Sequence, residues 1–328
     1  MAASDPSPLT YRARRAPKPG QPEVPAALIL VVSDSLALAA RKILARQAFL
    51  MEAHRPGTLA RQNPEELHDL RVASRRARAA LRLLRHVLPA DRVGHWRDEL
   101  RWLGGLSGLA RDMDVFLDRI RRHLRAVGAD PAVQRVLLRG VRAERRLAHA
   151  ELADALRSAR LAELMRELSE VPDPPAEPRR GVWADGSARE LAPGLIRGPL
   201  RRLRSWRRRR CEWLTAQEMH AIRIAGKRAR YAIEFFADVL GGDLRMHLKE
   251  LVALQDCLGA HQDAIVAMAR LGELARQRGA CGRPPECLAT LAALVGLERE
   301  AMAARRQEFT ELGPRLFELA RSISRSLS

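Results

Sequence analysis

His68, Arg71, Arg75, Arg78, Arg82 and Arg85 recur at steps of three and four within residues 66 to 86. That stretch has no proline or glycine, so one helix can carry it, and the steps gather the six side chains into a sector of roughly 100°. A ladder of guanidinium groups at about 5 Å spacing along a helix is chemistry for oxyanions, because each planar fork can grip a phosphate through two parallel hydrogen bonds. Leu70, Ala77, Leu81 and Leu84 line one side of the sector, and Val72, Ala79 and Leu83 lie near its other edge. An ordinary amphipathic helix keeps its charges opposite its apolar face. Apolar flanks beside the stripe point instead to a groove between helices.

The pattern returns later in the chain. Shifting by 152 residues lays His68 on His220, Arg71 on Arg223, Arg75 on Lys227, Arg76 on Arg228 and Arg78 on Arg230. Leu70, Val72, Ala77 and Leu81 meet Ile222, Ile224, Ala229 and Ile233, whereas Arg82 meets Glu234, so the second stripe ends sooner. A second landmark follows each basic helix. Gly108 to Val115 (Gly-Leu-Ala-Arg-Asp-Met-Asp-Val) resembles Gly259 to Val266 (Gly-Ala-His-Gln-Asp-Ala-Ile-Val) at an offset of 151. Two landmarks at nearly equal offsets indicate an internal duplication.

The elements that must position these residues read as helices throughout. No stretch shows sustained period-two alternation of β-branched residues, so no sheet is expected. Residues 1–25, with prolines and the basic cluster Arg12, Arg14 and Arg15, read as a flexible basic tail. Helical spacing runs from Ala26 to about Glu52. A turn at Pro56-Gly57 and a start signal at Asn63-Pro64 then lead into the basic helix. A third helix spans about Arg92 to Val127, interrupted or tightly packed at Gly104, Gly105 and Gly108. Asp130-Pro131 opens a fourth, reaching about Glu170. Residues 171–194 carry five prolines and three glycines and read as a linker. The duplication and the helical spacing lead to an all-α expectation: two bundles of about four helices each, residues 26–170 and 195–326.

Composition narrows the partner. The net charge is +19, and only four of the 58 basic residues are lysine (Lys18, Lys42, Lys227 and Lys249). A field of this size calls for a polyanion: nucleic acid, an acidic membrane surface or inorganic polyphosphate. Aromatics at 4% argue against single-strand binding by base stacking. The apolar run Val24 to Val32 is too short to span a membrane. Cys211, Cys257, Cys281 and Cys287 form no Cys-x-x-Cys pair, which suggests reduced thiols in a cytosolic protein. No metal or cofactor is expected.

The paired His-x-x-Arg-x-x-x-[Arg/Lys]-Arg-x-Arg helices, each followed by Gly-x-x-x-Asp-x-x-Val, resemble a CHAD domain over roughly residues 26 to 326. That resemblance implies an all-helical protein with two pseudo-symmetric four-helix bundles around a basic central cavity. It implies a cytoplasmic binder of inorganic polyphosphate, found at polyphosphate granules. The Glu-x-Glu-x-Lys signature of the triphosphatase domain that sometimes accompanies this family is missing from the sequence. A binder without enzymatic activity is therefore the expectation, with nucleic acid as the alternative partner.

The candidate polyphosphate contacts on the first basic helix are His68, Arg71, Arg75, Arg76, Arg78 and Arg82. Their counterparts are His220, Arg223, Lys227, Arg228 and Arg230, and Arg142 and Arg146 extend the site from the fourth helix. The two histidines have two readings, phosphate donor or partner of a neighbouring helix. As phosphate donors they would make affinity rise as pH falls through about 6.5. Asp112 and Asp263 are expected to pair with the arginines and hold them in place. The run Arg201, Arg202, Arg204 and Arg207 to Arg210 reads as a solvated or non-specific anion surface.

Overall fold

A computed structural model describes residues 22–172, 186–241, 244–279 and 285–327. Among these residues there are nine α-helices and no strand. They are α1 (Leu36–Ala60), α2 (Pro64–Leu83), α3 (Ala90–Ala126), α4 (Pro131–Arg157), α5 (Ala159–Ser169), α6 (Ala188–Arg204), α7 (Ala216–Leu240), α8 (Leu244–Gly279) and α9 (Pro285–Ser326). None is long and apolar enough to cross a membrane. Residues 1–21 of the expected tail lie outside the described residues.

Side-chain caps account for most starts. Asn63 accepts from the Glu65 amide at 3.0 Å ahead of Pro64, and Asp130 accepts from Ala132 at 2.6 Å ahead of Pro131. The free amide at each first turn is thus satisfied where proline removes its neighbour. Thr215 and Glu218 close a reciprocal capping box at α7.

The helices pack in a recurring order. α1 lies on α2, α2 on α3 and α3 on α4; α6 lies on α7, α7 on α8 and α8 on α9. The basic helices α2 and α7 touch each other, and α9 reaches back to α3 and α4. Where α1 and α6 begin, the Leu36 amide donates to Gly186 at 2.9 Å and the Ala188 amide to Asp34 at 2.8 Å, a reciprocal pair centred on Ser35 and Ser187. One contiguous apolar core, from Leu30 to Leu327, runs through all nine helices.

Three expectations are corrected. Pro56 and Gly57 make no turn; α1 continues through both to Ala60. Space explains the glycine: a Cβ at Gly57 would sit 2.5 Å from Glu66 Cγ, and the Glu66 carboxylate meets Nδ1 of the buried His54 at 2.8 Å. Of the two readings at Gly104, Gly105 and Gly108, interruption falls: α3 runs unbroken with Leu100, Leu103, Ser107 and Ala110 buried along one face, while Arg78 and Arg71 of α2 pass 3.4 Å and 3.6 Å from where a Cβ would stand at Gly104 and Gly108. The linker expected at 171–194 is helical from Ala188. Pro193 and Pro199 lie inside α6, where the buried stripe Ala188, Ala192, Ile196, Leu200 and Leu203 offsets their missing donors. Residues 173–185 of that range lie outside the described residues.

Candidate functional site

α2, α3, α7 and α8 line a half-open cavity of about 480 Å³. α2 contributes His68, Arg71 and Arg75, and α7 contributes His220 and Arg223. α3 adds Arg111, Asp112 and Arg119, and α8 adds Gln262, Asp263 and Arg270. Six arginines thus meet two carboxylates in one half-open cleft.

Five of the six arginines are held, Arg111 by the Pro64 carbonyl at 3.2 Å, whereas Nε of Arg223 is buried without a hydrogen-bond partner. Arg71 donates through Nη1 to Asp112 Oδ1 at 3.1 Å. Arg75 reaches across to α7, where its Nε donates to the hydroxyl of the buried Tyr231 at 2.6 Å. Arg119 forms a two-pronged pair with Glu298 of α9, a carboxylate with only 1% of its side chain exposed, and His123 approaches the same carboxylate at 3.3 Å. Arg270 lies 3.7 Å from Glu144 of α4. Such ties fix the forks before any ligand arrives, which reduces the ordering cost of binding.

The cavity electrostatics run strongly positive. Lys227 lies behind the lining, and burial, then Arg223, Arg75 and Arg230, push its ammonium down to about 7. Burial is also the main cause of the downward shift of Arg223; Asp263 opposes it, while Arg75 and Arg71 from the facing helix add to it. His68 is lowered by burial and then by Arg111. Partial desolvation raises Asp263 against the pull of Arg223, Arg119 and Lys227. These shifts disfavour the positive forms while no anion is present, and a bound polyanion reverses them.

The expected contacts divide into three groups. His68, Arg71, Arg75, His220 and Arg223 come together in the cavity, with Lys227 behind them. Arg76 of α2 is engaged with Glu234 of α7 and clasps the two helices together, while Arg230 meets the same carboxylate from within α7 at 2.9 Å. Arg78, Arg82 and Arg228 do not line it. Arg142 and Arg146 do not either: the phase of α4 turns Val141 and Ala148 into the core and leaves both arginines exposed. The histidine readings also part. Nδ1 of His220 bonds Oε1 of Gln262 on α8 at 2.8 Å, the neighbouring-helix role, while its ring still lines the cavity.

Arg111, Arg119, Arg270 and Gln262 were absent from the expected set. A signal for two of them exists in the sequence. Arg119 follows Asp112 by seven residues and Arg270 follows Asp263 by the same seven, which returns each to its helix face. Asp112 pairs with Arg71, as expected, whereas Asp263 acts on Arg223 through its charge, with no ion pair among the described residues.

The comparisons with known proteins fit this architecture. A family model described as the CHAD domain matches residues 42–272. The CHAD domain of the plant Ricinus communis is 28% identical and superposes with a TM-score of 0.63, covering 91% of this chain and 94% of that one. PptA from Streptomyces chartreusis superposes with a TM-score of 0.66 over 85% of this chain and 99% of that one; at 22% identity it speaks to the fold alone. An uncharacterised protein of Mycobacterium tuberculosis, MT2285, is 29% identical over 217 residues, or 63% of this chain. The match spans only 40% of the length of that curated relative. CHAD domains are associated with polyphosphate binding in general. With the family model spanning well over half the residues and a solved CHAD domain superposing on nine-tenths of them, the chain belongs to the CHAD domain family.

Proposed function

We propose that this protein binds inorganic polyphosphate in the cavity between α2, α3, α7 and α8. The observation that carries the reading is the convergence of six arginines and only two carboxylates on one half-open cleft. An excess of fixed, partly desolvated guanidinium groups suits a flexible chain bearing a charge on every unit. Arg71, Arg75 and Arg223 are the principal contacts, with Arg111, Arg119 and Arg270 around them and His68 and His220 at the rim. Lys227 supplies a charge that the polyanion restores.

The recurring packing order and the reciprocal bonds at Ser35 and Ser187 support a duplicated architecture. In this reading α1–α4 and α6–α9 are two related four-helix bundles, and the site lies on the seam between them. Binding requires no cofactor and involves no turnover, in keeping with the engagement of Asp112 by Arg71. A cytoplasmic position at polyphosphate granules follows from the family resemblance.

Competition decides between this reading and nucleic acid. Long-chain polyphosphate is expected to stay bound when duplex DNA or RNA is added at equal phosphate concentration, and its affinity should fall steeply with salt. Displacement by nucleic acid would transfer the site to that partner. Incubation with polyphosphate, with and without magnesium, should release no phosphate; release would make the protein an enzyme.

A further inference from the structure

A second hollow adjoins the basic cavity and differs from it in character. It measures about 660 Å³, is half open, and is lined chiefly by α4 and α8. Phe116, Val266 and Arg270 line both spaces, so the two meet along one wall. Both volumes fall within the ~300–1,000 Å³ usual for small-molecule pockets.

The chemistry changes across that wall. Buried Phe116, Val141 and Leu274 back the second hollow, and Met268 and Ala269 of α8 add to its apolar lining. Val266, at the junction, is left 41% exposed. Gly272 keeps the α8 side shallow: a Cβ there would meet only the tip of Arg276, at 3.6 Å. Glu144 of α4 supplies a carboxylate. It lies 3.7 Å from Arg270, too far for a hydrogen bond, and 45% of its side chain is exposed, so its oxygens can accept from a ligand. A polyphosphate chain has no apolar part and is repelled by Glu144, so it leaves this hollow unused.

A ligand that matches both spaces is multiply anionic at one end and flat, apolar and N–H-bearing at the other. We propose that the adjoining spaces together bind a nucleoside triphosphate whose base carries an amino group. The triphosphate lies among Arg71, Arg75, Arg223 and Arg270, the base rests against Phe116, and its amino group donates to Glu144. Stacking on an aromatic ring and donation of an exocyclic amino group to a carboxylate are established means of holding a base. The inference rests on the polyphosphate reading of the cavity, because the same arginines receive the phosphates. Nucleotide and polyphosphate therefore exclude one another, and a rising nucleotide concentration releases the polyanion.

Calorimetric titration of the full chain with ATP, GTP, UTP and tripolyphosphate tests the proposal. Tripolyphosphate has one more free oxygen than a nucleotide's esterified triphosphate, so charge alone ranks it first. ATP or GTP should nevertheless bind about tenfold tighter than tripolyphosphate, and UTP, whose base has no amino group, more weakly than either. Gly272→Phe fills the second hollow where there is room for a side chain. It should remove the nucleotides' advantage and leave tripolyphosphate within about twofold of wild type. Glu144→Gln keeps the shape but loses the charge, so it should narrow that advantage by raising tripolyphosphate affinity more than that of ATP. Tripolyphosphate binding as tightly as ATP and GTP, UTP matching them, or equal changes for ATP and tripolyphosphate in both variants would overturn the nucleotide site and leave the polyphosphate reading standing. A wild-type protein that binds none of the four would sink the cavity reading, and this inference with it.

Discussion

The α2–α3 side of the cavity and the α7–α8 side use equivalent positions to different effect. Each carries a histidine, then an arginine near an aspartate, then an arginine that crosses to the far half: Arg119 to Glu298 and Arg270 to Glu144. The scaffold repeats, but the burial does not. Glu298 is almost fully enclosed and meets both prongs of Arg119, whereas 45% of the Glu144 side chain is exposed and lies 3.7 Å from Arg270. Beside the histidines, Arg111 on α3 is matched by Gln262 on α8. One side is tied into the core and densely charged; the other is looser and partly neutral. At matched offsets in the sequence, placement thus persists while charge diverges.

The widest separation between the two sides should appear in stability. Arg119→Ala strands a buried carboxylate, for which a loss of about 3 kcal/mol is expected. Arg270→Ala breaks an exposed pair, and its loss should stay within about 1 kcal/mol. Urea denaturation measures both, and equal losses would erase the distinction.

A smaller effect should follow pH. Lys227 titrates near 7 in the empty fold against an ordinary 10.5, so the folded state binds fewer protons than the unfolded chain between those values. Stability of the empty protein should therefore rise as pH increases from about 7 towards 10.5. Tripolyphosphate favours the charged ammonium, so its affinity should fall as pH rises above about 7. Lys227→Met should flatten both slopes in denaturation and calorimetric titrations; unchanged slopes would acquit Lys227. The contribution of His68 lies at lower pH than its ordinary 6.5, because burial and Arg111 already disfavour its proton.

The smallest change should come from Gln262→Arg, which gives the α8 side the charge of the α3 side. It removes the acceptor for His220 and adds one phosphate contact, so affinity should rise a few-fold and the salt dependence should steepen by about one counterion. A shallower salt dependence would count against the site's electrostatic origin.

Much of this could be read from residue spacing. Steps of three and four marked the helix faces that carry His68, Arg71, Arg75, His220 and Arg223, and the nearly equal offsets of His68 and His220 (152) and of Asp112 and Asp263 (151) pointed to a duplication. What escaped depended on contacts between distant segments. Pro56 and Gly57 looked like a turn because the sequence does not reveal that Glu66 must pass beside Gly57. The start of α6 was hidden by prolines whose cost is offset by burial beneath α7 and α9. Arg142 and Arg146 had a suitable spacing, but only packing against α3 sets which side of α4 turns inward. The clasp of Arg76 by Glu234 needed the crossing of α2 and α7, a relation no local pattern encodes.

The pair between Arg119 and Glu298 has a bearing on how the protein is made. Its partners are 179 residues apart in sequence. At a synthesis rate of about 5–20 residues per second, Arg119 leaves the ribosome roughly 9–36 s before Glu298 exists. During that interval α3 and α4 lack the last helix that covers them, and closure across so long a loop slows the final step. The nascent first half therefore waits, basic and half-covered, for the end of the chain to complete it.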